Sequence, residues 1–436
     1  MSEWFGELPA RWDVRRAKTL FKKESRVVPH GADTVTCFRD GQVTLRKNRR
    51  TIGFTEAIQE FGYQGVCKGD LVIHVMDAFA GSIGVSDSDG KCTPVYSICT
   101  PLAKNANSYY YAYLLREMAR AGWIQALYRG IRERSSSFTY DIFAAQSLPL
   151  PPRNEQDKIV RYLDWKVSRI NKLVSAKRRQ VALLQEQKRA VINAAVTKGG
   201  AGWEWHQLGK IVSIILSGLD KKTYEGQQAV KLCNYVDVYK NDYITGELPF
   251  MDATASDNEI ANLKLQVDDV IITKDSESWD DIGVPAYVKE VFDGLCCGYH
   301  LAMLRSKKDI ISGEFLYNAF RAQYVQIQHK IKANGITRFA LGYQPIHDTQ
   351  LFVPPLSEQH VIVAELDKKC GKIDRLIVAI QREIELFTEY KTRLISDVVT
   401  GKLDVRGVAV PEYDVVEETV DAEIIEEETE GGENAD

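Results

Sequence analysis

Two dense runs of basic residues are the first feature with chemical meaning. They are Arg46-Lys47-Asn48-Arg49-Arg50 and Arg129-Gly130-Ile131-Arg132-Glu133-Arg134-Ser135-Ser136-Ser137. Cations at that density neutralise phosphates, and an arginine among them can fork onto a guanine edge. Lys22, Lys23, Arg46, Lys47, Arg49, Arg50, Arg132, Arg134 and Ser136 are the candidate DNA contacts of the first half, with Phe138 and Tyr140 as neighbouring aromatics. The second half offers shorter clusters: Lys221-Lys222-Thr223-Tyr224, Lys274 in a polar loop after an expected strand, and the segment from Lys330 to Arg338. Its candidates are Lys221, Lys222, Tyr224, Lys274, Lys332, Asn334, Thr337 and Arg338. An ordinary solvated face is the competing reading of each run.

No catalytic constellation accompanies these charges. The chain has no G-x-x-x-x-G-K-[ST] loop, no G-x-G-x-x-G fingerprint, no H-E-x-x-H pair and no nucleophile elbow. It also lacks the Asn-Pro-Pro-aromatic run with which amino-methyltransferases hold an extruded base. Glu186-x-Lys188 has nuclease-like spacing, but it has no upstream Pro-Asp partner and falls in a helical seam. The eight cysteines form no C-x-x-C and read as free thiols, and the seven histidines are scattered, so no metal site is expected. No apolar run approaches 18 residues, and the first residues show no basic-then-apolar signal. The expectation is a cytoplasmic chain without a membrane span.

The elements that must carry the basic clusters are announced by an internal repeat. Pro151-Pro152-Arg153-Asn154-Glu155-Gln156 and Pro354-Pro355-Leu356-Ser357-Glu358-Gln359 share Pro-Pro-x-x-Glu-Gln at an offset of 203. Each copy opens a long helical pattern. Val160, Leu163, Val167, Ile170, Val174, Lys177, Val181, Leu184, Lys188, Val191 and Ala195 step by alternating threes and fours. Adding 203 gives Val363, Leu366, Cys370, Ile373, Ile377, Ile380, Ile384, Phe387, Lys391, Leu394 and Val398. A stripe with 3.5-residue spacing sustained this long predicts a coiled coil. Leu163, Ile170, Val181, Leu184, Leu366, Ile373, Ile384 and Phe387 are the expected packing residues. Asn154 and Ser357 are plausible N-caps, and Gly199 and Gly401 are stop signals. Each helix should be about 65 Å long at 1.5 Å per residue.

The segments ahead of the helices, 1–152 and 201–355, also repeat weakly. Arg11-Trp12 resembles Glu204-Trp205, and Gly69-Asp70-Leu71-Val72-Ile73 resembles Asp268-Asp269-Val270-Ile271-Ile272. Both read as mixed α/β (α+β) domains of short strands, with a helix near 107–128 and 313–331 before the proline exit. The predicted organisation is domain 1–152, helix 153–200, domain 201–355, helix 356–406 and an acidic tail 407–436. Antiparallel pairing of the helices would relate the halves by a pseudo-two-fold axis, with the two domains at opposite ends of a rod. Such a frame suits half-sites about 34–36 Å apart, or a multiple of that. With full overlap, residue i lies level with residue 555−i, so Lys188 should meet Asp367 and Lys391 should meet Asp164.

The charge balance has to be read by segment. The 436 residues carry 56 Lys+Arg and 60 Asp+Glu, a net −4 that argues at first sight against nucleic acid. Yet residues 407–436 hold 12 acidic side chains and no basic one, which leaves 1–406 with 56 basic against 48 acidic. Residues 1–152 carry 20 basic and 15 acidic side chains, whereas 201–355 carry 15 and 20. The first domain is therefore the stronger expected DNA contact. The tail reads as disordered and solvating, with a self-competing DNA mimic as the other reading.

Together, the duplicated Pro-Pro-x-x-Glu-Gln, the helices closing on Val196-Thr197-Lys198-Gly199 and Val399-Thr400-Gly401-Lys402-Leu403, and the Gly130-Ile131-Arg132 segment resemble the specificity subunits of type I restriction-modification systems. The resemblance covers residues 1–406; Asn334-Gly335-Ile336-Thr337-Arg338 is a looser match to the basic segment, and the acidic tail has no counterpart. It implies a non-catalytic chain with two target-recognition domains, each reading half of a split double-stranded DNA target. The paired helices would set the unread spacer and dock two modification subunits. Those would use S-adenosylmethionine to methylate adenine at N6, and separate restriction (motor) subunits would use ATP and magnesium; this chain would bind no cofactor or metal. Without the resemblance, the residues support a two-headed DNA reader, or a structural adaptor holding two protein partners at a fixed spacing.

Overall fold

The computed structural model describes residues 4–49, 61–102, 104–127, 137–335 and 338–414. They form two compact units. The first comprises residues 1–178 and 382–436, and the second residues 179–381. Each unit thus combines a mixed α/β body with part of both long helices, Arg153–Thr197 and Leu356–Val399.

In the first unit an antiparallel sheet has the order Phe21–Lys23, Tyr96–Pro101, Leu71–His74, Ile83–Val85. Its central strand, Leu71-Val72-Ile73, is apolar and buried on both faces, as a strand covered on both sides must be. Two short hairpin-like pairs, Val35–Cys37 with Val43–Leu45 and Gln64–Val66 with Gly90–Cys92, flank it. The helix Ser108–Arg120 is capped by Asn107, whose side chain accepts from the Tyr109 amide. In the second unit a five-stranded sheet runs Val212–Leu216, Leu301–Ser306, Val270–Thr273, Pro285–Val288, Tyr243–Ile244. A three-stranded sheet places Gln228–Cys233 between Met251–Ala255 and Leu295–Cys297. The expected single helix at 313–331 is two, Gly313–Phe320 and Gln323–Lys332.

Both bodies close in the same way. Asp13–Arg16 pairs antiparallel with Ser147–Leu150, and Glu204–Gln207 pairs with Gln350–Val353. The tryptophans that correspond are therefore Trp12 and Trp203, each buried just ahead of its strand. Trp205, which the sequence comparison aligned with Trp12, lies inside the strand and is largely exposed. At the head of each central strand sits a buried carboxylate. Asp70 accepts from the Cys67 amide at 2.7 Å and from Arg26, and Asp269 accepts from the Gln266 amide at 2.8 Å and from Arg305 Nε and Nη2 at 2.8 Å. The turn geometry repeats although the two arginines come from different places in the chain.

The Pro-Pro-x-x-Glu-Gln motif is a joint between helix and body. Gln156 is fully buried. Its Nε2 donates to the Pro151 and Asn105 carbonyls, both at 2.8 Å, and its Oε1 accepts from the Asn107 amide at 2.9 Å. Gln359 repeats this with the Pro354 and Ile310 carbonyls at 2.8 Å and the Ser312 amide at 2.9 Å. Asn107 and Ser312 are themselves N-caps of body helices. One glutamine therefore locks the start of the long helix to the start of a body helix and satisfies three backbone groups, among them the buried Pro151 or Pro354 carbonyl. The long helices begin at Arg153 and Leu356, so Asn154 and Ser357 lie inside them and are not the N-caps. The Pro152 and Pro355 carbonyls accept the first helical amides instead. Gly199 and Gly401 follow the helix ends at φ +71° and +76°, where a Cβ would be strained.

Within each unit the two helix portions run antiparallel. In the first, Leu163 and Ile170 share a core with Leu394 and Val398. In the second, Ile192 and Val196 share one with Val363, Leu366 and Cys370. Ile373 is buried, while Val181, Leu184, Ile384 and Phe387 are half-buried. The expected register is displaced. Lys188 Nζ donates to Asp374 Oδ1 at 2.7 Å, not to Asp367, with Asp242 Oδ2 of the body at 3.4 Å. Asp374 lies one heptad beyond Asp367, and a heptad pattern looks the same after a seven-residue slip. Asp164, the carboxylate expected for Lys391, accepts from the Tyr113 hydroxyl at 2.8 Å, and burial pushes it above the usual carboxylate range. Residues 407–414 of the acidic tail are seated: Val405 is buried in the first core, and Val408 and Val410 pack against it. Residues 415–436 lie outside the described residues.

Candidate nucleic-acid interface

The second unit gathers several predicted residues on one patch. The strand Asp275–Ser276 pairs with Phe339–Ala340, the Leu341 amide donates to the Lys274 carbonyl, and the Lys274 amide donates to the His300 carbonyl. These bonds bring Lys274, His300 and Arg338 together from three separate stretches of chain. Asp275 accepts from Lys274 Nζ and lies 2.7 Å from His300 Nδ1. Burial pushes its carboxyl up, but Lys274 and His300 hold it below the usual range. His300 Nε2 lies 3.1 Å from Arg338 Nη1. Tyr235 donates to Ser276 Oγ at 3.1 Å and stacks on Tyr239 at 5.6 Å. Tyr239 and Trp279 are exposed, and Lys330 lies over the Trp279 ring. Asn334 bridges Ala340 at the foot of this patch, and Lys332 is half-buried beside it. Thr337 lies outside the described residues. Cations, hydroxyls and exposed aromatic faces together can hold phosphate, hydrogen-bond base edges and stack on bases.

Lys221, Lys222 and Tyr224 form a separate exposed loop. Lys222 approaches Asp220 at 3.5 Å, and the Tyr224 amide donates to Thr254 Oγ1.

In the first unit the basic run is partly engaged by its own body. Lys47 pairs with Asp33 at 2.5 Å, and Arg46 donates to Thr36 Oγ1 at 3.2 Å. Arg49 pairs with Asp40 at 2.7 Å and lies 4.1 Å from the Phe38 ring centroid. Arg49 lines a cavity of about 550 Å³ together with Asp40, Arg116, Asp164, Asn171 and Lys391. That cavity is open to solvent, and the Arg49 side chain is mostly covered by its partners. Lys22 and Lys23 are exposed on their strand, Lys22 with Glu24 at 2.8 Å. Arg50, Arg132, Arg134 and Ser136 lie outside the described residues.

Sequence reasoning missed Tyr235, Tyr239 and His300, and took Asp275 and Ser276 only as part of a polar loop beside Lys274. None lies in a basic run; the pairing of 275–276 with 339–340 and the Lys274–His300 backbone bond bring the patch together with Arg338. Among the described residues, no group of three or more His, Cys, Asp or Glu side chains could hold a metal ion. No described helix is long and apolar enough to cross a membrane. The eight cysteines are free, and all but Cys67 are buried.

Comparison with known proteins places this patch in context. Residues 209–386 match the family model described as "Type I restriction modification DNA specificity domain". A solved structure titled for complex assembly and conformational transition of the type I R-M system is 17% identical, covering 91% of this chain and 100% of that one, with a TM-score of 0.68. The HsdS subunit from Thermoanaerobacter tengcongensis is 18% identical over 91% of this chain and 98% of its own, with a TM-score of 0.47. The S subunit from M. genitalium is 14% identical, over 91% and 99%, with a TM-score of 0.37. No curated protein sequence matches the chain. The family match falls on the second unit, the one with the acidic balance.

Proposed function

We propose, from the match of residues 209–386 to the type I restriction modification DNA specificity domain, that the chain is a member of that family and reads a bipartite duplex target, one half with each unit. In this reading it is a DNA sequence-specificity subunit of a non-catalytic family. The observation that carries the bipartite reading is the duplicated glutamine joint. Two bodies are fixed to the long helices by the same three hydrogen bonds, yet they carry different surface chemistry. A chain that builds one attachment twice and varies what is attached suits an asymmetric target. In this proposal the paired helices set the unread spacer and dock two modification subunits. S-adenosylmethionine then belongs to those subunits, and ATP and magnesium to restriction subunits.

Methylation-site sequencing of DNA from cells carrying this chain with its partner subunits tests the proposal. The expected result is a split motif with one methylated adenine in each half. A single unbroken motif, or methyl transfer by the purified chain alone, would refute it. The adaptor reading predicts no steep salt dependence of DNA affinity, whereas a DNA reader loses affinity linearly in log–log terms as salt rises.

A further inference from the structure

We propose that Arg338 is a base-reading residue of the second unit and that His300, backed by Asp275, is the residue that positions it. This inference rests on the DNA-reading function proposed above and deepens it. A carboxylate only accepts and a guanidinium only donates. His300 lies between the two, with Nδ1 2.7 Å from Asp275 Oδ2 and Nε2 3.1 Å from Arg338 Nη1. A hydrogen bond from Arg338 to Nε2 requires the tautomer that carries its proton on Nδ1, where it donates to Asp275. Asp275 is itself anchored by Lys274 and is mostly buried, as is His300.

The backbone is shaped for this relay. His300 has φ +67°, a left-handed conformation that costs a side chain other than glycine steric strain. It directly precedes the strand Leu301–Ser306, and its carbonyl accepts from the Lys274 amide, so the strained residue is pinned from both sides. Tyr299 lies against the ring at 3.8 Å between centroids.

What the relay presents is an exposed fork. The Arg338 side chain is about half exposed while its partner His300 is mostly buried. Each terminal guanidinium nitrogen carries two hydrogens, so the histidine takes one and leaves hydrogens on both for a guanine edge. The competing charge is Glu277, 4.0 Å from Arg338 Nη2, beyond hydrogen-bond distance and almost fully exposed. It can swing away when DNA approaches. Tyr235 and Ser276 lie on the same patch as polar neighbours for the adjoining base.

The test is selection of a centrally randomised duplex DNA library by the full chain assembled with its methyltransferase partners. Wild type and the variants Arg338→Ala, Arg338→Lys, His300→Ala and His300→Gln are compared. Arg338→Ala should lower the preference at one base pair of one half-site by about tenfold or more and leave other positions intact. Arg338→Lys should do the same, because lysine cannot fork. His300→Ala should weaken the same position several-fold, and His300→Gln, which keeps an acceptor and a donor, should recover part of it. Thermal melting checks that each variant folds, and Asp275→Asn reports on the relay should His300→Ala not fold. Uniform weakening across all sequences with Arg338→Ala, and a salt slope smaller by about one, would make Arg338 a phosphate contact and overturn the proposal. An unchanged motif in His300→Ala or Asp275→Asn would overturn the positioning role. If the wild-type complex selects no split motif, the DNA-reading proposal fails separately.

Discussion

Replacing Gln156 with Met removes three hydrogen bonds at a fully buried site while keeping side-chain length. Two carbonyls, Asn105 and Pro151, and one amide, Asn107, lose their partner. Asn105 is exposed and its carbonyl can turn to water, so at about 1–3 kcal/mol for each of the two buried groups, the Pro151 carbonyl and the Asn107 amide, the cost is roughly 2–6 kcal/mol. That is a large part of the stability of an ordinary domain. Gln359→Met should cost a similar amount through Ile310, Pro354 and Ser312. The two variants must act on different units. Hydrogen exchange read by mass spectrometry should show Gln156→Met exposing the start of helix Ser108–Arg120, and Gln359→Met exposing the start of Gly313–Phe320. Denaturant titration gives the magnitude. A cost below about 1 kcal/mol, or loss of protection in the unit that was not mutated, would refute the joint as the element that fixes body to helix.

Three further outcomes are expected. His329 is fully buried beside Thr349, and burial lowers its pKa from 6.5 to about 4. Between those values the unfolded chain takes up a proton that the folded chain refuses, so the second unit should lose stability as pH falls. The loss should reach about 2 kcal/mol by pH 5 and be absent in His329→Leu, as measured by denaturant titration at pH 7 and pH 5. Asp269→Ala strips a bidentate partner from Arg305 and an acceptor from the Gln266 amide. It should cost about 3 kcal/mol in the same titration, and Asp70→Ala should behave alike in the first unit. Exchanging residues 1–152 for the corresponding body of another specificity chain should change one half of the methylated motif, and a change in both halves would show that the bodies are not independent readers.

The long helices were legible because a heptad stripe is a property of local spacing, and spacing is what a sequence displays. Their register was not, since Asp367 and Asp374 occupy equivalent positions one heptad apart and only the body residue Asp242 adds a second anchor for Lys188. The Pro-Pro-x-x-Glu-Gln repeat was visible, but its meaning was assigned to capping by Asn154 and Ser357. The working residues are the glutamines, whose partners at 105–107 and 310–312 lie about fifty residues away. The site divides along the same line. Lys274, Asn334 and Arg338 could be named from charge and polarity and Asp275 from the polar loop beside Lys274, whereas His300 became visible only when the Lys274 amide bonded its carbonyl and a two-residue strand pair closed the patch.

Net charge alone does not decide which unit reads DNA, because it says nothing of where on the surface the charges lie. In the second unit Asp269 is held by Arg305, Asp242 faces Arg321 and Lys188, and Asp275 orients His300. These acids are locally balanced by the cations they hold, so the acidic excess comes from other carboxylates. In the first unit the same arithmetic credits Arg49 to the surface although it faces a cavity with Asp40. An excess of five acidic side chains over residues 201–355 is therefore compatible with a DNA-reading patch. In the proposal above, its recognition rests on the geometry of a few forked or stacked groups, with bulk attraction to phosphate contributing less. This leads to a difference in salt response. Contacts made by the second unit should depend less on ionic strength than those made by the exposed lysines of the first, because few phosphate charges are neutralised there. Salt-dependent protection of a split target, half by half, measures that difference, and equal slopes in the two halves would contradict it.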